Sequence, residues 1–124
     1  VRSRGDNVEI TYKGPREKES SLKIKEEVET YAEDFETLLT IFEKIGLNPI
    51  LTYTKHREEY KLGRVSFEID TFNDIPAYLE IEAPSEKEVM DYAEKLGFDK
   101  SELKSFGFKG LLKHYGKDLN RYRN

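Results

Sequence analysis

Charged residues recur in this chain as same-sign pairs two positions apart. Arg2 with Arg4, Lys23 with Lys25 and Lys55 with Arg57 are cationic, while Glu27 with Glu29, Glu68 with Asp70 and Glu80 with Glu82 are anionic. In an extended strand, residues two apart share a face and stand roughly 7 Å from each other, so each pair repels itself. A sheet built only for stability would mix signs along each strand. With Lys13, these faces gather seven cations and six carboxylates. Buried charge is costly unless paired, so cations lining a cavity call for a polyanion, and the carboxylates call for a divalent cation. A polyphosphate carrying Mg²⁺ or Mn²⁺ answers both, because hard ions take carboxylate and phosphate oxygens together. No Walker-type glycine-rich loop is present to bind phosphate through backbone N–H groups, which leaves the work to side-chain cations. The plainer alternative is that the charges coat the wet face of half-buried sheets. His56 falls on the opposite face from Lys55 and Arg57 and reads as structural; His114, in the C-terminal segment, reads as exposed.

Composition narrows the setting. The 124 residues carry 21 Lys+Arg against 25 Asp+Glu, and 37% are charged against 36% hydrophobic, so a large all-apolar core is excluded. Disorder is excluded too, because 12% are aromatic and the apolar residues fall in periodic runs. No apolar run approaches the ~18 to 20 residues of a membrane span, and Val1-Arg2-Ser3-Arg4 is no signal peptide, so the chain reads as soluble and cytoplasmic. Without cysteine there is no disulfide framework, thiol catalysis or thiolate metal site, and any metal must be held by carboxylates. Lys100 to Asn124 carries seven Lys/Arg against Glu102 and Asp118, a basic segment that on so small a domain reads as a solvated helix face. A module binding RNA or polyphosphate is the rival reading. The six carboxylates argue against a nucleic-acid backbone lying along those faces, and the basic segment lacks dense aromatic interleaving.

The elements that must carry these residues follow from periodicity. Val8–Lys13 places Val8, Ile10 and Tyr12 opposite Glu9, Thr11 and Lys13, bracketed by turn residues. Leu22–Glu29, Arg64–Asp70 and Tyr78–Ala83 alternate in the same way, and Leu51–Tyr60 is strand-like but less regular. Asp34–Ile45 has helical spacing, with Phe35, Leu38, Leu39, Phe42 and Ile45 on a buried stripe and Gly46 after it. A second helix over Ser85–Leu96 starts with a capping box, Ser85 with Glu88, and ends at Gly97. A weaker helical region follows Ser101, interrupted by Gly107, Gly110 and Gly116. The order, two runs of three strands and a helix and then the basic segment, predicts a single antiparallel α+β domain over residues 1–124.

On these residues the sequence resembles the CYTH superfamily of class IV adenylyl cyclases and thiamine triphosphatases. Arg2-Ser3-Arg4 followed by Thr11-Tyr12-Lys13-Gly14-Pro15 is similar to its Arg-x-Arg strand and the signature after it, and Lys25-Glu26-Glu27-Val28-Glu29 to its Arg-Glu-Glu-hydrophobic-Glu strand. Lys55-His56-Arg57 with Tyr60, Glu68-Ile69-Asp70, and Tyr78-Leu79-Glu80-Ile81-Glu82 match later strands in order. The resemblance covers residues 1–98, with 99–124 as a basic, weakly helical extension. It implies an antiparallel β-barrel, a triphosphate tunnel with flanking helices. It also implies phosphate binding by Arg2, Arg4, Lys13, Lys25, Lys55 and Arg57, and Mg²⁺ or Mn²⁺ held by Glu27, Asp70, Glu80 and Glu82. All ten lie on the charged faces that alternation assigns.

The implied ligand is a triphosphate: ATP, tripolyphosphate or thiamine triphosphate. The Thr-Tyr-Lys-Gly-Pro run favours a cyclase forming cyclic AMP and pyrophosphate over a triphosphatase releasing the terminal phosphate. The family's leading Glu-x-Glu-x-Lys strand has no counterpart here. The chain therefore reads as a fragment that binds triphosphate with weak or no turnover unless that strand is supplied, and whose open edge invites pairing with a second copy.

Overall fold

In the computed structural model, residues 1–15 and 26–123 are described. The chain divides into two compact units, Val1–Ile50 and Leu51–Arg123. Among the described residues the strands form two antiparallel three-stranded sheets, one in each unit, rather than one closed barrel.

The first unit holds β1 (Arg2–Arg4), β2 (Asn7–Lys13), β3 (Glu27–Ala32) and helix α1 (Phe35–Lys44), with the sheet ordered β1-β2-β3. A two-residue turn at Gly5-Asp6 joins β1 to β2, and Gly5 takes φ +58°, a left-handed conformation that glycine adopts without a steric cost. The register sets Glu9 opposite Tyr31, Thr11 opposite Glu29 and Lys13 opposite Glu27, so the polar residues predicted from alternation share one face. The expected strand over Leu22–Glu29 is described only from Glu27, and it runs on to Ala32; Leu22 to Lys25 lie outside the described residues. Helix α1 matches its predicted span, with the Asp34 side chain accepting from Thr37 N–H. Its apolar stripe is half-buried instead of buried: Phe35, Leu38, Leu39 and Phe42 are partly covered and Ile45 is exposed.

The second unit holds β4 (His56–Leu62), β5 (Val65–Phe72), β6 (Ile75–Glu82), α2 (Glu86–Lys95) and α3 (Phe108–His114), with the sheet ordered β4-β5-β6. Pro76 sits in β6, an edge strand, where its missing N–H breaks no ladder. Ser85 caps α2 as its spacing to Glu88 predicts, accepting from the Glu88 N–H. Phe67 meets Tyr92 of α2 edge-on, with centroids 5.4 Å apart, which places α2 over the apolar side of the sheet.

The core of this unit lies where the sequence is least regular. Phe72, Ile75 and Leu112 form a buried cluster, packed round by Tyr78, Phe108, Leu111, Leu119 and Tyr122. Leu112 in α3 is 0% exposed, so the segment after Ser101 is more than a solvated basic face. The chain then turns back on itself. Leu51 bridges Arg123, Thr52 N–H donates to the Tyr122 carbonyl at 2.9 Å, and the Tyr122 hydroxyl donates to Asp74 in the β5–β6 turn. Among the described residues, no helix is long and apolar enough to cross a membrane.

Candidate functional site

The charged face of β4-β5-β6 gathers the densest set of ionisable groups. Register places Arg57 opposite Asp70, Asp70 opposite Tyr78, Glu68 opposite Glu80 and Ser66 opposite Glu82. A β-bulge between Asp70 and Phe72 produces that alignment. The β5–β6 turn pairs Phe72 with Ile75; carried on without the extra residue, that register would face Glu68 with Leu79 and Asp70 with Ala77. The bulge therefore brings carboxylate to carboxylate. In the middle of β5 the charged residues are the covered ones: Glu68 is 5% and Asp70 0% exposed, while the intervening Ile69 is 37% exposed.

Asp70 is held from three directions. Arg57 donates Nε to Oδ1 at 2.6 Å and Nη2 to Oδ2 at 2.7 Å, and Lys55 Nζ reaches Oδ2 at 2.5 Å. The Tyr78 hydroxyl lies near the same carboxylate. Burial pushes the Asp70 carboxyl up, but hydrogen bonds from Arg57 and Lys55, with their positive charge, outweigh it and hold it below the usual range. Burial works against the Arg57 charge as well, yet the hydrogen bond to Asp70 and the charges of Glu68, Asp70 and Glu80 raise its pKa. Tyr78 is raised by burial first and then by Asp70 and Glu80. Arg57 also pairs with Glu68 through Nη1 and lies 3.7 Å from Glu80. One guanidinium thus serves three carboxylates.

Next to this cluster, Glu68, Glu80 and Glu82 each offer a carboxylate oxygen, and these oxygens lie within 4.8 Å of one another. The Glu68 carboxyl is pushed up by burial, then down by Arg57, and up again by Glu82, Glu80 and Asp70. The pairing of its Oε2 with Arg57 is ionic, without the alignment of a directed hydrogen bond. Arg57 reaches two of these three carboxylates, Glu68 and Glu80, and is itself shared with Asp70, so negative charge is left uncompensated, and three hard oxygen donors of this kind fit Mg²⁺ or Mn²⁺. Of the metal ligands implied by resemblance, Glu80 and Glu82 lie together, and the third member is Glu68. Both oxygens of Asp70 are engaged by cations.

The first unit answers its charges pairwise. Lys13 Nζ lies 2.7 Å from Glu27 Oε1, Arg2 Nη1 lies 3.5 Å from Glu9, and Tyr31 OH donates to Glu29 at 2.8 Å. Thr11 Oγ1 donates to Glu9 at 3.1 Å. Arg4 stands on the same face, opposite Asn7. Lys25 lies outside the described residues. His56 is exposed and 4.0 Å from Glu58, and His114 is exposed beside the Phe106 and Tyr115 rings. Alternation put Glu68 on the charged face but did not single it out as a ligand, and it passed over Tyr78. The usable signal was parity, since Glu68 and Tyr78 share the face of Asp70 and Glu80.

The CYTH domain family model matches residues 1–115. A curated relative named "Putative adenylate cyclase MJ0240", from Methanocaldococcus jannaschii, is 35% identical over 95 residues, which is 77% of this chain and 51% of that protein. The chain thus spans about half the length of the curated relative it matches. Among solved structures, the PH1012 protein from Pyrococcus horikoshii OT3 superposes with a TM-score of 0.71 at 24% identity, covering 86% of this chain and 68% of that one. That likeness is one of fold.

Proposed function

This chain belongs to the CYTH domain family, and from that premise we propose that it binds a triphosphate-containing ligand, ATP or a close analogue, with Mg²⁺ or Mn²⁺, in the manner of the class IV adenylyl cyclases. The observation that carries the reading is the contact between the Lys55–Arg57–Asp70 cluster and the Glu68, Glu80 and Glu82 carboxylates, through Arg57. Cations poised for phosphate and carboxylates poised for metal share one sheet face, as a metal–triphosphate complex requires.

Each residue then has a task. Lys55 and Arg57 bind phosphate oxygens, and Asp70 holds the two cations in place as a positioning residue. Glu68, Glu80 and Glu82 hold the metal, which supplies charge neutralisation at the phosphates as they transfer. In the first unit Arg2, Arg4 and Lys13 are the phosphate-binding cations, with Lys25 proposed from resemblance. Glu27, paired with Lys13, is proposed as a metal ligand from resemblance. As a cyclase, the site would direct a ribose 3′-hydroxyl at the α-phosphate and expel pyrophosphate.

Calorimetric titration of ATP and of inorganic tripolyphosphate, with and without Mg²⁺, into the wild-type chain and Arg57→Ala tests the reading. Metal-dependent binding that is lost in the variant is the expected result. Binding unaffected by Arg57→Ala, or none in the wild type, overturns it.

A further inference from the structure

We propose that Ser66 is a positioning residue for the metal site, its hydroxyl donating a hydrogen bond to the Glu82 carboxylate when that carboxylate turns inward to hold a divalent cation. The inference rests on the reading that Glu68, Glu80 and Glu82 hold the metal, and it adds the residue that sets the orientation of one of them.

Ser66 occupies a corner of the charged face. Lys61, Ser66 and Glu82 lie directly opposite one another across β4, β5 and β6, and the neighbouring row is Glu59, Glu68 and Glu80. Ser66 therefore stands beside Glu68 along its own strand and across the ladder from Glu82. Its Oγ is buried and makes no hydrogen bond. Of the two side chains that flank it across the ladders, Lys61 turns its Nζ to Glu59, at 3.3 Å. The other, Glu82, is exposed, and among the described residues its carboxylate has neither a hydrogen bond nor an ion pair, whereas Arg57 reaches both Glu68 and Glu80. A buried donor without an acceptor thus directly opposes a carboxylate without a donor.

A buried hydroxyl with no partner costs folding free energy, so its place at this corner calls for a second state in which the bond is made. Directly opposed residues of an antiparallel pair bring their Cβ atoms to about 4.5–5.5 Å, a gap that rotation of the Glu82 side chain closes. A carboxylate has two acceptor oxygens and no donor. With one oxygen of Glu82 gathered with those of Glu68 and Glu80, which already lie within 4.8 Å of it, the second is left for the Ser66 O–H. Hydrogen bonds to the free atom of a metal ligand fix its orientation and raise affinity. One movement of Glu82 from water toward the cluster therefore completes the ligand set and satisfies the hydroxyl together.

The test titrates Mn²⁺ alone into the full chain by calorimetry, beside thermal melting without metal, for the wild type, Ser66→Ala, Ser66→Thr and Ser66→Val. Ser66→Ala should bind Mn²⁺ about ten- to a hundred-fold more weakly. Without metal it should melt at or above the wild-type temperature, because it removes a hydroxyl that has no partner there. A side chain that only packed would lower affinity and metal-free stability together. Ser66→Thr and Ser66→Val are alike in shape and differ in the hydroxyl, so Ser66→Thr should bind Mn²⁺ more tightly than Ser66→Val by a similar factor. Equal affinity in the wild type and Ser66→Ala, or in Ser66→Thr and Ser66→Val, overturns the proposal and leaves the carboxylate site standing. A Ser66→Ala protein that melts well below the wild type without metal also overturns it, since the hydroxyl then has a partner in the unloaded chain. A wild type that takes up no Mn²⁺ overturns the metal reading and the proposal with it.

Discussion

Arg57 and Asp70 stand directly opposite each other on β4 and β5, and the guanidinium takes both carboxylate oxygens at 2.6 and 2.7 Å while its remaining nitrogen pairs with Glu68. This fork-to-fork contact fixes the plane of the guanidinium. Lys55 shares the same carboxylate. Lys55 and Arg57 are thus preset by an anion of the protein itself, with no ligand needed to order them.

Removing that anion takes away the carboxylate that Lys55 and Arg57 share and leaves Arg57 only its pairing with Glu68 and Glu80. Asp70→Asn is expected to destabilise the chain by roughly 3–5 kcal/mol, the cost of breaking a buried ion pair by deleting one member. Urea denaturation at constant m measures it, and a loss under about 1 kcal/mol would show that Asp70 is not what holds the cluster.

The two buried carboxylates of β5 pull stability in opposite directions with pH. Asp70 titrates below its ordinary value, so its contribution is present above about pH 3.9 and is lost as pH falls through its folded value. Glu68 titrates above its ordinary value, so its ionisation destabilises at neutral pH, and stability is regained as pH falls through its folded value toward about 4.3. In buffer with chelator, Glu68→Gln should therefore unfold at a higher temperature than wild type at pH 7. The gap should close as pH approaches about 4.3, and both proteins should weaken below about 3.9. A Glu68→Gln protein less stable than wild type at pH 7 would mean that the Arg57 pairing outweighs burial and repulsion.

Divalent metal should reverse the Glu68 cost. Mg²⁺ or Mn²⁺ at a hundred times its dissociation constant is expected to stabilise the wild type by about 2.7 kcal/mol, through binding to the folded state alone. The pair Glu80→Gln with Glu82→Gln should abolish the rise in melting temperature. An equal rise in that double variant would place the metal elsewhere.

Leu112→Ala should cost about 2–5 kcal/mol, because the side chain is fully enclosed against Phe72 and Ile75. Thermal unfolding of the full chain reads this out. A change within about 0.5 kcal/mol would return the C-terminal segment to the role of a solvated appendage.

Much of this was legible from spacing. Alternation found β2, β3, β5 and β6, the less regular Leu51–Tyr60 marked β4 only in part since the strand runs His56–Leu62, and the Arg2-x-Arg4 pattern marked β1; apolar spacing with Gly46 announced the first long helix and the Ser85 capping box the second. What spacing could not reveal was which carboxylate faces which. The bulge before Phe72 slides β6 by one residue and sets Glu68 against Glu80, an outcome decided by the β5–β6 turn and not by parity. Parity also marked the charges as one face without saying that Glu68 and Asp70 on it are buried. Leu112 was legible only as one of the apolar residues of a weak helical region, because the glycines on either side break the helical period and its burial comes from residues some forty positions away in sequence, Phe72 and Ile75. The like-sign repulsion along each strand is relieved across strands, by Lys13 with Glu27 and by Arg57 with Asp70.

The bridge between Leu51 and Arg123 has a mechanical meaning. The backbone enters and leaves the second unit at adjacent points, so tension applied between them falls first on that bridge and on the Thr52-to-Tyr122 bond. These would peel apart one at a time, as a zipper opens, before any force reached the ladders of β4, β5 and β6. The sheet that carries the charged face is shielded behind a seam that can yield on its own.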